Sequence, residues 1–144
     1  MLSIVLALLF MSCKKSTTEN ETPGESSIAV VTLSPEPEST VSSQDTIKAL
    51  LDYVIAEGIQ SDYGFSVSIK FQSVIENQTL SVGTEASISV IKKKDQIQLV
   101  YPLSLIWRSS DLKHPVSFYF YLQNYTSETK STVIAKTTVI NFSE

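Results

Sequence analysis

The sequence predicts an all-β domain, an antiparallel sandwich of about seven or eight strands over residues 28–144. Three observations predict it. Phe65, Val67, Ile69 and Phe71 alternate with Ser66, Ser68, Lys70 and Gln72, and Val116, Phe118, Phe120 and Leu122 alternate with Ser117, Tyr119, Tyr121 and Gln123. A period of two sends successive side chains to opposite faces, which suits a strand buried on one side only. Strand-like runs recur about every ten residues with polar breaks between them, a spacing that fits a sandwich better than βα units. A single Cys among 144 residues excludes an internal disulfide, so apolar burial alone must hold the domain together.

Taken in order, Ile28–Leu33 is the first strand, ended by Ser34-Pro35-Glu36-Pro37. Residues 46–56 carry two periodicities. Ile47, Leu50, Leu51, Val54 and Ile55 fit a helix, with Asp45 and Gly58 placed as caps. Ile47, Ala49, Leu51, Tyr53 and Ile55 fit one face of a strand. The strand is the expectation, because a two-sheet domain needs a long second strand here. The alternating runs at 65–71 and 116–122 form two core strands, and further strands are expected at 79–82, 86–91, 97–106 and 132–142. Lys92-Lys93-Lys94, followed by Asp95, reads as a solvated hairpin turn between two of them.

Ser34-Pro35-Glu36-Pro37-Glu38-Ser39-Thr40-Val41, the long strand after it and the run from Tyr63 to Phe71 resemble an immunoglobulin-like sandwich domain of bacterial secreted proteins. The resemblance covers residues 28–144 and implies a fold, not an activity.

Ahead of the domain, residues 2–11 are almost continuously apolar. As a helix, ten residues rise about 15 Å, half of a bilayer's hydrocarbon core, so the run is too short to span and has the length of a signal-peptide apolar region. Phe10-Met11-Ser12-Cys13, followed by Lys14-Lys15, resembles the lipobox of bacterial lipoproteins, with Ser12 at the small position. Phe10 departs from that pattern, in which Leu is commoner. No Lys or Arg precedes the apolar run, which puts the expected start of the leader upstream of Met1. The resemblance implies cleavage after residue 12, acylation of Cys13 and an outer-membrane location on either the periplasmic or the surface face. Residues 14–27 hold no large apolar side chain and read as a disordered linker.

A net charge of −4 argues against nucleic acid, which calls for a basic face. His114 is the only His, so no Cys/His metal set can be assembled, and the acids lack calcium-loop spacing. With Ser109, Ser110 and Asp111, His114 could be arranged as a hydrolytic triad. The four are sequence neighbours in a loop, and loop residues are the expectation. No catalytic residue, metal or cofactor is assigned. The best binding signal is aromatic: with Phe118 and Phe120 in the core, Tyr119 and Tyr121, extended by Tyr125, form an exposed row suited to a glycan or protein ligand. Asn20, Asn77, Asn124 and Asn141 each open an Asn-x-Ser/Thr tripeptide, and Asp45-Thr46-Ile47 resembles the O-glycosylation tripeptide of Bacteroidota. The expected function is that of a membrane-anchored, non-enzymatic binding or spacer module. The alternative is a fibre subunit assembled by exchange of the first strand and the Ile/Val/Thr-rich last one.

Overall fold

Residues 24–81 and 86–144 are described by a computed structural model. The leader, Cys13, Asn20 and most of the linker lie outside the described residues. Two antiparallel sheets pack as a sandwich. The first contains β1 (Ser27–Ser34), β2 (Thr46–Val54) and β6 (Lys94–Pro102), in the order β1-β2-β6. The second is built on β3 (Phe65–Gln72) and β7 (Ser117–Tyr125), with β4 (Thr79–Ser81) and β5 (Ile88–Val90) on one flank and β8 (Ser131–Lys136) and β9 (Ile140–Asn141) on the other. The orders β1-β2-β6 and β3-β7-β8 are the A-B-E and C-F-G orders of an immunoglobulin-like sandwich.

The segment with two periodicities is a strand. Along β2, Ile47, Ala49, Leu51 and Tyr53 are buried while Lys48 and Asp52 are exposed. Its central place between β1 and β6 satisfies both of its hydrogen-bonding edges, which local helical spacing cannot foresee.

The core lies between the sheets. Phe71, Phe118, Phe120, Ile69, Leu122 and Leu51 are fully buried. Phe118 is the hub, with ring centroids 5.6 Å from Phe71, 5.5 Å from Phe120 and 5.2 Å from Phe142. Phe71 reaches across to Tyr101 of the first sheet at 5.3 Å. Each such ring contributes about 1.5–3 kcal/mol through burial, before any gain from ring geometry.

The strand expected over 86–91 is confined to Ile88–Val90, and four further differences from the sequence expectation follow. The strand expected over 97–106 starts earlier, at Lys94, and stops at Pro102. Beyond it a 3₁₀ turn, Leu103–Leu105, buries Leu103. The segment 132–142 is divided into β8 and β9, both lying along the same edge of β7. The break comes where the Phe120 N–H donates to Thr137 Oγ1 (3.1 Å), so a side chain replaces a ladder carbonyl. The expected hairpin at Lys92–Lys94 is instead a crossing between sheets, because β5 pairs with β3 whereas β6 pairs with β2. Finally, β7 runs on to Tyr125.

Candidate functional site

The outward face of the second sheet holds the candidate site. Cross-strand register sets it: Ser66, Ser68 and Lys70 of β3 lie opposite Gln123, Tyr121 and Tyr119 of β7, and Lys136 of β8 lies opposite Tyr121. Same-face neighbours in adjacent strands are close enough to touch. Lys70 Nζ stands 4.9 Å from the centroid of the Tyr121 ring, and Lys136 Nζ 5.7 Å from that of Tyr119. The two tyrosine rings meet edge to face, with centroids 6.0 Å apart and planes at 62°.

That geometry corrects the expected exposed row. Tyr121 is only 6% exposed, while Tyr119 and Tyr125 are half-buried. Alternation places Tyr121 on the outer face correctly, but β7 is central in its sheet, and Lys70 of β3 lies over the ring. Burial pushes the Tyr121 phenol above its ordinary value, while a hydrogen bond with Ser68 acts the other way. Rings tilted by 62° offer no continuous stacking platform, which leaves Tyr119 the more accessible of the two.

Below the tyrosines runs a polar layer that the sequence reading does not single out. Gln123 Nε2 donates to Ser66 Oγ (2.8 Å) and to the Tyr125 hydroxyl (2.9 Å), and the Ser131 hydroxyl donates to Gln123 Oε1 (2.8 Å). At the other end of the strand the Ser117 hydroxyl donates to Gln72 Oε1 (2.6 Å). Ser66, Ser68, Ser117 and Gln123 are all buried. The signal is present in the sequence as the outward series Ser-Ser-Lys-Gln on β3 and Ser-Tyr-Tyr-Gln on β7. Small hydroxyls let the longer tyrosine and lysine side chains fold down over them.

A bulge in β8 completes the site. Leu122 pairs with Ala135 and Gln123 with Val133, which leaves Ile134 as the extra residue. Beside it a shallow depression is lined by Tyr119, Val133, Ile134, Ala135 and Lys136. Among the described residues neither Lys70 nor Lys136 takes part in an ion pair; the pairs are Lys92–Asp95 and His114–Glu144. The site thus joins an aromatic edge, an apolar dip and two cations without a carboxylate partner.

No family model matches the sequence, and no curated protein does. One solved structure that the fold is similar to is Spo0M, the sporulation control protein from Bacillus subtilis, with a TM-score of 0.44 and 7% identity. The match covers 84% of this chain and 50% of that one, so the chain spans about half the length of the protein it is compared with.

His114 lies away from this site. Its Nδ1 is 2.7 Å from Glu144 Oε2, and its ring stands edge-on to Trp107 at 5.1 Å. Glu144 Oε1 also accepts the Val116 N–H at 2.8 Å. The Ser109 hydroxyl is turned to its own loop, where it accepts the Asp111 N–H at 3.3 Å. His114 and Glu144 form a clasp at the start of β7. Among the described residues no group of three or more His, Cys, Asp or Glu could hold a metal ion. Of the Asn-x-Ser/Thr asparagines, Asn77 and Asn141 are exposed, whereas the half-buried Asn124 donates through Nδ2 to the Gln60 carbonyl at 3.4 Å.

Proposed function

We propose that the chain is a lipid-anchored, non-enzymatic binding protein of a bacterial outer membrane, whose sandwich domain takes an acidic envelope glycan at Tyr119. Anchoring rests on the lipobox-like Phe10-Met11-Ser12-Cys13 and the polar segment behind it. Acyl chains add about 0.8 kcal/mol per buried methylene, and two or more hold a protein at a bilayer without a spanning helix. Among the described residues no helix is long and apolar enough to cross a membrane.

The observation that carries the binding reading is the pairing of Tyr119 with Lys136, beside Lys70, with no carboxylate among the described residues to neutralise either cation. A sugar's C–H groups pack against the negative face of an aromatic ring, and its carboxylate or sulfate is met by an ammonium. The protein's net charge of −4 makes such a local cationic pair selective rather than a general anion trap.

The test immobilises envelope polysaccharides, acidic and neutral, and measures retention of the protein. Retention on acidic polysaccharide should fall about tenfold in both Tyr119→Ala and Lys136→Ala. Lack of retention on every polysaccharide overturns the binding reading. Labelling cells with palmitate, with Cys13→Ala as the control, tests the anchor separately.

A second reading, a fibre subunit assembled by strand exchange, is favoured by the groove between β1 and the β8–β9 segment. Val30, Leu33, Lys136 and Ile140 line it, and Val31 and Val139 stand nearly half exposed beside it. Ladders of cross-linked oligomers on cells would favour this reading over the first.

A further inference from the structure

One end of the sandwich carries an apolar side chain that nothing among the described residues covers. Ile91 is 97% exposed. It opens the crossing from β5 to β6, and that crossing is firmly held. The Lys93 carbonyl accepts the Ile55 N–H at 2.7 Å, the Lys92 carbonyl accepts the Tyr53 hydroxyl at 3.1 Å, and the Lys93 ammonium donates to the Ile59 carbonyl. Lys93 also lies over the Phe65 ring at 5.0 Å. A tip held this way keeps Ile91 pointing outward, where a loose loop could fold it back onto the surface.

The same end receives the chain from Cys13. Register puts Ser27 beside Val54 and Val54 beside Lys94, so β1 begins in the row of residues from which the crossing rises. The Ala56 N–H donates to Ser26 Oγ at 3.0 Å, which fixes the entering chain there. A random coil as long as residues 13–24 spans about 18 Å. An acyl group on Cys13 would therefore hold this end, and not the opposite one, within reach of the lipid.

Exposed Tyr63 shares the end, with Lys92 and Lys94 flanking the tip. Tyrosine suits the headgroup zone, and lysine keeps its ammonium in water while its stem follows an apolar neighbour down. Glu57, Asp62 and Asp95 lie here too, and Asp95 already pairs with Lys92 at 2.7 Å. The attraction is that of an apolar side chain for acyl chains and needs no anionic lipid.

We infer that Ile91 is a second membrane contact: the domain docks end-on against the bilayer that holds its lipid, with Ile91 inserted among the acyl chains. This rests on the anchored reading above. Docking also presents the outer face around Tyr119 sideways, parallel to the membrane normal and clear of the headgroups.

Trp107 makes the test convenient. It is the only tryptophan and sits beyond the far end of β6, about 30 Å away for a nine-residue strand. The chain from Cys13 onward is attached through its Cys13 thiol to maleimide-bearing phosphatidylcholine vesicles with brominated acyl chains. In Ile91→Trp the added emission should be quenched, while Trp107 in the parent stays bright. In the parent, Trp107 anisotropy should decay slowly. Ile91→Ser should lower the ratio of docked to undocked protein about tenfold and speed that decay. Unquenched emission from position 91, or equal decays in parent and Ile91→Ser, overturns the docking. Mass spectrometry of residue 13 from cells reports on the anchor alone. An unmodified Cys13 with quenching at 91 defeats the anchored reading and leaves the contact standing. An acylated Cys13 without quenching does the reverse.

Discussion

Lys70 does not extend straight across to its strand partner Tyr119 but leans diagonally, its Nζ 4.9 Å from the centre of the Tyr121 ring. The ammonium gains from the negative face of the ring, and the stem covers it. Lys70→Met keeps the stem and removes the charge, so it should cost about 0.5–1 kcal/mol. Lys70→Ala uncovers the ring as well and should cost more. Urea unfolding of the two variants separates charge from cover.

Tyrosine ionisation should set the alkaline limit of stability. Tyr121 is raised above 10.0 chiefly by burial, and Tyr53 by burial and then by Asp95, with Lys92 opposing. Both groups hold their protons more tightly folded than unfolded. Their neutral forms therefore favour the native state fully below pH 10, and that advantage is lost as pH rises from 10 through the folded values. Tyr121→Phe should flatten the decline in unfolding free energy above pH 10. Phenolate absorbance should show one ionisation fewer in the delayed part of the curve.

Glu144 ties its segment to β7 by accepting both the Val116 N–H and a contact from His114. Removing the carboxylate orphans the N–H of a residue whose side chain is wholly buried. Glu144→Ala should destabilise by about 1–2 kcal/mol, and Glu144→Gln, which keeps an acceptor, by less. Hydrogen exchange at Ile140–Phe142 should speed up in step.

Phe118 is the costliest single side chain to shorten. Its ring meets those of Phe71, Phe120 and Phe142. Phe118→Ala should lose about 3–5 kcal/mol, and Phe118→Leu distinctly less. Denaturant titration measures both.

Gln123 tests the polar layer. Gln123→Leu deprives Ser66, Ser131 and Tyr125 of their shared partner. An expected cost of about 1–3 kcal/mol, together with a lowered protection of Tyr125 in hydrogen exchange, would show that the layer is cohesive.

What was legible in the sequence was what alternation encodes. Phe65–Phe71 and Val116–Leu122 assign their faces without error, and Ile47 to Tyr53 do so once a sheet is assumed on both sides. Coverage is another matter. Nothing local to Tyr121 says that Lys70, fifty-one positions earlier in the chain, will lie across it. Nor does the Lys92–Lys94 run reveal whether its two strands pair with each other or with different sheets, since a tight hairpin and a crossing look alike as polar residues between apolar ones. The clasp of His114 and Glu144 spans 30 positions and leaves no periodic trace. Alternation is a property of one strand, whereas shielding and clasping depend on which strands become neighbours.

The segment around β9 closes a long circuit. The Ser143 hydroxyl donates to the Glu38 carbonyl across 105 positions, the Glu38 N–H donates to the Asn141 carbonyl, and Thr40 bridges Ser143 in parallel. Early residues therefore wait for partners that are made more than a hundred amino acids later. During synthesis the nascent polypeptide is an unfinished thread, with these contacts unmade, until those partners appear. A thread in that state can still pass through a narrow translocation pore, which a closed sandwich could not enter.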